Sequence, residues 1–162
     1  IKKRRAFRSH LLTKKSKKVI DTIEYIDLAT VTEDRKPWNS PLWFVRDDKY
    51  NLYFYSPKYT QHSQNIRNNG KGFVVIYDSR APEGTGFGVY MTVEVKELNA
   101  VSEVKEAIKW IYTKKKKKKT TQDFLGKSAR RIYKVTPKKV WVNDAEEKDG
   151  LFLDYRIPIK LT

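Results

Sequence analysis

Leu52-Tyr53-Phe54-Tyr55-Ser56-Pro57-Lys58-Tyr59-Thr60-Gln61-His62-Ser63-Gln64-Asn65-Ile66-Arg67-Asn68-Asn69-Gly70 is the stretch whose reading decides the fold. Its first five residues are aromatic-rich, as suits a pleated, half-buried strand. Pro57 ends that run. Thr60 is a capping residue, and Gly70 is a natural stop, so a short helix is expected between them. A helix that starts just beyond a strand end brings Ser56, Thr60, Gln61 and His62 around its free N–H groups. The positive end of the helix with these donors suits an anion of phosphate size, and it equally suits an ordinary Ser/Thr cap.

Upstream, Ile26 to Thr32 is short and β-branched, Glu33-Asp34-Arg35-Lys36-Pro37 is a polar turn, and Trp38 to Arg46 reads as a second strand. Asp47 to Asn51 makes the next turn. Downstream, Phe73 to Tyr77 is a continuous apolar run fit for a buried strand, Ala81 to Gly88 a flexible connection, and Val89 to Val95 a further strand. Residues 101, 104, 107, 108, 111 and 112 are apolar at helical spacing. A turn of helix at Thr121 to Leu125 leads to Ile132–Val135 and Val140–Val142, expected as two strands hinged at Pro137. Asp144 to Gly150 reads as a loop and Leu151 to Leu161 as a terminal extension, a strand broken at Pro158. Apolar residues at 12, 19, 20 and 23 predict an amphipathic helix before the first strand. Short strands at hairpin spacing with a few helices predict a mainly β chain, an antiparallel barrel or sheet with appended helices. Its parts are a basic arm and helix at 1–25, a barrel domain at 26–143 with an exposed lysine-rich loop at 114–119, and a C-terminal extension at 144–162.

The 162 residues fit one domain, with 39% hydrophobic and 13% aromatic residues, too many for disorder. The formal charge of +16 is localised. Residues 1 to 20 hold nine lysines or arginines and no acid, and Lys114 to Lys119 add six lysines, so the remaining body is nearly neutral. Such segments attract RNA, DNA or anionic lipid through counterion release, or they are simply solvated. The absence of cysteine excludes disulfides and thiolate chemistry. No run approaches the roughly 20 apolar residues of a membrane span, and the N-terminus has no apolar signal core, so a cytoplasmic home without membrane is expected. His10 and His62 form no ligand-spaced pair, which argues against a metal site. Ser-His-Asp hydrolysis would need Ser56 or Ser63 to meet His62 in space, and nothing in the sequence favours it. Gly84-Thr85-Gly86-Phe87-Gly88 precedes a strand rather than opening a helix, so it reads as a loop and not a nucleotide fingerprint.

Taken in order, the chain resembles the pyridoxamine 5'-phosphate oxidase-like family of flavin mononucleotide (FMN)-binding split barrels. The segments that carry the resemblance are Leu28 to Asp34, Pro37, Ser40 to Phe44, Leu52 to Ser56, Thr60 to Asn69, the strand to Asp78, Gly88 to Tyr90, and Val135 to Trp141. The resemblance implies an antiparallel six-stranded split β-barrel that dimerises, with a flavin in each of two clefts between subunits. It implies that Ser40, Pro41, Leu42, Trp43 and Val45 lie along the flavin ring, that Tyr55 and Ser56 follow, and that Thr60, Gln61 and His62 face the phosphate. Oxidase members of that family carry Arg in place of Ser40, Lys in place of Val45, and Arg-Lys in place of Gln61-His62. Three or four cationic contacts are thus absent or softened, each worth roughly 1.5–3 kcal/mol, unless Lys58, Arg67 or a partner's lysine substitutes. The family's Arg-x-His for the vitamin B6 phosphate has no counterpart, since Arg130-Arg131 lacks the histidine, so vitamin B6 oxidation is not expected.

The expectation is therefore an FMN-dependent oxidoreductase acting on a small molecule, with FMN as cofactor and deazaflavin or haem as alternatives. The competing class is a non-enzymatic flavin, haem or polyanion (nucleic acid) binder. A homodimer is expected from Trp38, Trp43, Tyr53 and Tyr55, more aromatic surface than a small barrel encloses. His62, in place of the family's phosphate-binding lysine, is expected to gain charge near pH 6.5 and to strengthen FMN binding as pH falls from about 8 to 6.

Overall fold

The computed structural model describes residues 2–113 and 118–162. Helix α1 (Lys2–Thr22) precedes strands β1 (Tyr25–Val31), β2 (Pro37–Trp43), β3 (Val45–Arg46) and β4 (Leu52–Pro57). Then come α2 (Gln61–Asn68), β5 (Lys71–Tyr77), β6 (Gly88–Glu97), α3 (Val101–Tyr112), a 3-10 turn at Thr121–Asp123, β7 (Arg130–Lys148) and β8 (Leu151–Ile159). The sheet runs β2-β1-β5-β6-β7-β4-β3, antiparallel throughout, with β8 paired to β7. The architecture is mainly β, a curled antiparallel sheet with three helices among the described residues, as expected for a split barrel. No helix of the described residues is long and apolar enough to cross a membrane.

Eight strands stand where six were expected, for two local reasons. The stretch read as one strand, 38–46, breaks at Phe44, whose N–H donates to the Glu24 carbonyl at 3.1 Å. Before the break it pairs with β1, and after it with β4. One continuous segment therefore forms both outer edges of the sheet and curls it. The eighth strand comes from the C-terminal extension. Asp144 to Lys148 continues β7 instead of looping, and the reversal is confined to Asp149 and Gly150, at φ 52° and 75°.

The two strands expected to hinge at Pro137 are likewise one. Pro137 sits where β7 has left β4 at Val135 and not yet met β8 at Val140. A residue without an N–H is tolerated there because one side of the strand has no ladder to lose. The register shift opposite Thr92 and Val93 leaves Lys138 as the extra residue of a bulge.

Alternation along the strands separates two cores. Ile26, Leu28, Leu52, Phe54, Val74, Ile76, Val89, Val93 and Val135 fill the barrel, which is closed by Leu12, Val19 and Ile20 of α1 and by Ile23 just beyond it. The opposite face of β4 carries Tyr53 and Tyr55 into a second cluster beneath α3, with Val104, Ala107, Ile111, Phe124 and Ile132. The aromatic residues expected at a dimer interface are thus largely used within the chain. Tyr53 is buried, and Trp43 lies 6.2 Å from Tyr55 in a tilted ring pair, leaving Trp38 at 44% exposure. Gly70 lets α2 dock tightly, since a Cβ there would stand 2.8 Å from the Val95 carbonyl oxygen. Of the lysine run, Lys118 is exposed and Lys119 pairs with Asp123 at 3.1 Å, while Lys114–Lys117 lie outside the described residues.

Asp47 organises the turn before β4. Its carboxylate accepts the N–H groups of Lys49 and Asn51, both at 2.9 Å, the Asn51 side-chain amide at 2.8 Å and the Tyr53 hydroxyl at 3.1 Å. Burial, followed by the Asp47 charge, pushes the Tyr53 pKa up. Asp47→Ala would leave the buried Tyr53 hydroxyl without its acceptor, so urea unfolding should show a loss of about 2 kcal/mol or more. Asp48→Ala, on the exposed neighbour, should stay within about 0.5 kcal/mol.

Candidate functional site

The strand-to-helix passage forms as the sequence predicts. Thr60 caps α2 in extended conformation (φ −65°, ψ 154°), and its hydroxyl accepts the Ser63 N–H at 3.4 Å. The side chains behind the cap form a compact polar cluster. His62 Nε2 lies 2.8 Å from Ser56 Oγ and 3.0 Å from Thr60 Oγ1, and His62 Nδ1 lies 3.3 Å from Ser40 Oγ. Thr60 donates to Ser63 Oγ at 2.8 Å, and Ser63 donates to the Pro57 carbonyl at 3.1 Å. Phe54 meets the imidazole edge-on with centroids 6.1 Å apart, and Tyr133 stacks on Phe54 at 4.9 Å.

Ser40, Ser56 and His62 are all buried. Burial holds the His62 pKa below its ordinary value of 6.5, so the imidazole is neutral at pH 7. This changes the expectation of a histidine that charges between pH 8 and 6, because removing the ring from water disfavours its cationic form. It also bears on hydrolysis. Ser56 does meet His62, but the other ring nitrogen faces the Ser40 hydroxyl, and a triad would need a carboxylate there.

The expected site residues on the strands divide between the two faces, because adjacent strand residues face opposite sides of the sheet. Ser40 and Leu42 point inward with Ser56, and Leu42 packs against the barrel core. Pro41, Trp43 and Val45 point outward. Trp43 and Val45 join the α3 cluster and line a cavity of about 540 Å³ shared with Ile20, Ile23, Phe44 and Trp110. Pro41 lines a separate hollow of about 300 Å³ beside Tyr25 and Tyr77. Tyr55 packs on Trp43, Tyr112 and Phe124. Gln61 donates from its side chain to Asn65 at 2.8 Å.

Sequence reading missed Asn65, which is buried and donates to Thr30 Oγ1 at 2.9 Å, tying α2 to β1. Its polar type within a short helix was the available signal. Of the cations considered as substitutes, Arg67 is committed to Glu97 at 2.8 Å and to the Lys58 carbonyl at 2.7 Å. The Lys58 ammonium lies over the exposed Tyr59 ring, 5.2 Å from its centroid. No group of three or more His, Cys, Asp or Glu fit to hold a metal occurs among the described residues.

The family model for pyridoxamine 5'-phosphate oxidase matches residues 12–144. A candidate pyridoxamine 5'-phosphate oxidase from Listeria innocua superposes with a TM-score of 0.63 at 16% identity, over 81% of this chain and 97% of its own. HutZ, the haem storage protein of Vibrio cholerae, superposes at 0.61 and 12% identity, over 77% and 89%. A haem binding protein from Mycobacterium smegmatis does so at 0.62 and 11%, over 89% of this chain and 57% of that one. No curated protein matches the chain. At these identities the structural likeness is one of fold.

The buried imidazole has a measurable consequence. An unfolded histidine takes up its proton near pH 6.5, whereas folded His62 does so only at lower pH, so the unfolded chain binds more protons in that window. Stability should therefore fall as pH drops below about 6.5, until the folded pKa is passed. Denaturant melts at pH 7 and 5 should show a smaller difference for His62→Gln than for the wild type, and an NMR titration should place the His62 midpoint below the ordinary histidine value of 6.5.

Proposed function

We propose that this chain, which belongs to the pyridoxamine 5'-phosphate oxidase family, is a cytoplasmic homodimeric FMN-binding oxidoreductase acting on a small molecule. The observation that carries this reading is the polar cluster at the start of α2. Hydroxyls of Ser56, Thr60 and Ser63 and a neutral imidazole stand at a helix N-terminus, paired with one another and with the Pro57 carbonyl, and a phosphate dianion docking there would take over those hydrogen bonds. The set is poorer in fixed charge than a lysine–arginine cradle, so binding relies on hydroxyl donors and the helix dipole.

FMN, when bound, supplies hydride or electron transfer, and the protein's part is to hold and orient it. Backbone groups of β2 would lie along the ring. The 540 Å³ cavity bordered by Trp43, Val45 and Trp110 has the size of a small-molecule site and supports a substrate on the outward side of that strand.

A second copy has a surface to occupy. Val75, Tyr90 and Trp141 stand opposite one another across β5, β6 and β7 on the outward face, half-buried and packed in neither core. Tyr77 and Tyr25 lie near them at 46% and 56% exposure. Gly88 makes room for Tyr90, whose ring atoms a Cβ would meet at 2.9 Å. A neighbouring pair of such faces would bury aromatic area of the kind that favours association.

The purified protein should be yellow or turn so with added FMN, quench flavin fluorescence stoichiometrically and sediment as a dimer. Ser56→Ala and Thr60→Ala should each weaken FMN by about tenfold, one charge-assisted hydrogen bond. Tyr90→Glu should give monomers with little flavin. A Soret band on adding haemin, with no flavin bound, would transfer the chain to the haem-binding class. In that case the exposed His10 is the histidine to replace first, since both nitrogens of His62 are engaged.

A further inference from the structure

We propose that the end of the barrel beside α1 is a nucleic-acid surface that grips the phosphate backbone through Lys17, Lys49, Lys138 and Lys160. The proposal is independent of the cofactor. Lys49, Lys138 and Lys160 line one hollow of about 270 Å³ together with Tyr50, Asn51 and Pro137. They come from three distant segments, the turn before β4, the bulge in β7 and the residue after β8. Lys17 reaches the same place from α1, its ammonium 5.2 Å from the centroid of the Tyr50 ring. Lys14 and Lys18 are exposed, a helical turn apart on the same side of α1, and extend the charge along the helix.

These lysines are positioned and largely unneutralised. Asp47 spends its carboxylate on the turn that presents Lys49, and Tyr50 adopts φ 59° there. Of these lysines Lys138 pairs with Glu94 at 2.7 Å, while Lys14, Lys17, Lys18, Lys49 and Lys160 have no ion pair among the described residues. A cluster of like charges costs self-repulsion, which a polyanion relieves while releasing its counterions.

Two features choose the partner. Leu12, Val19 and Ile20 of α1 are packed into the core, and among the described side chains of the helix Leu11 is the one large apolar group left exposed, too little to sink into a membrane. Tyr50, the aromatic residue of the hollow, is buried, with Lys17 and Arg46 over its ring, so no base can stack on it. Lysine point charges without stacking suit the dense phosphates of a duplex, read without regard to sequence. The hollow lies beyond Leu52, whereas the polar cluster begins at Ser56 on the same strand, roughly 13 Å away at strand rise. The surface can therefore be altered without touching the flavin site.

The test is fluorescence anisotropy of the 162-residue chain with labelled duplex DNA and RNA of two unrelated sequences, between about 50 and 200 mM salt. Affinity should be the same for both sequences and fall steeply with salt, with a log–log slope of about −0.9 per phosphate contact. Lys49→Gln, Lys138→Gln and Lys160→Gln together should weaken binding at least tenfold and shallow the slope by two to three contacts' worth, about 2 to 3. Lys71→Gln with Lys127→Gln, exposed elsewhere, should leave both unchanged, and flavin titration should be unaffected in either variant. Duplex binding that survives the triple substitution would overturn the assignment. So would no duplex binding at all, capture of inorganic tripolyphosphate alone, or preference for phosphatidylserine vesicles over duplex.

Discussion

The break at Phe44 is the constraint on which the rest of the molecule depends. A sheet whose two edges belong to the same short stretch cannot lie flat, because Trp43 must pair with β1 and Val45 with β4 across a single residue. Closing the sheet in this way creates an interior, and the inward residues of β1, β4, β5, β6 and β7 fill it with aliphatic and aromatic groups. It also fixes what lies beside what. Ser40 and Ser56, sixteen positions apart in the chain, come to opposite sides of one imidazole.

That imidazole is a structural hub. It is held by three hydroxyls, edge-on to Phe54, and deprived of water, which is why it stays neutral. The cluster of Ser40, Ser56, Thr60, His62 and Ser63 is held together by hydrogen bonds among neutral groups. Neutral donors still recognise phosphate, but they bind it less tightly and with less dependence on salt than guanidinium and ammonium groups do. Lysines gather instead on α1 and around the hollow at Lys49, away from that cluster.

Much of the architecture was legible in local sequence. The aromatic run 52–56 followed by Pro57 and Thr60, the helical spacing from 101 to 112 and the β-branched run 73–77 each specify an element through propensity and capping, which act over a few residues. What escaped were features that depend on distant partners. Pro137 reads as a hinge because proline lacks a donor, yet it rides within β7 where the neighbouring strand has changed. Asp144 to Lys148 reads as a loop because it is polar, yet pairing with β8 makes it strand. Asn65 and Asp47 look like ordinary polar residues until Thr30 and Tyr53 arrive beside them.

The candidate site divides along the same line. The sequence by itself determined that Thr60 would cap a helix and that Ser56, Gln61 and His62 would stand near its start, since both follow from chain neighbours within one turn. Only the tertiary structure decided that Ser40 joins them while Trp43 and Val45 face the other side, that His62 is buried, and that Lys17, Lys49, Lys138 and Lys160 share one hollow. The physical reason is that charge state and side-chain company are set by burial and by contacts across the sheet. Those contacts exist only once the two edges of the barrel have been drawn together at Phe44.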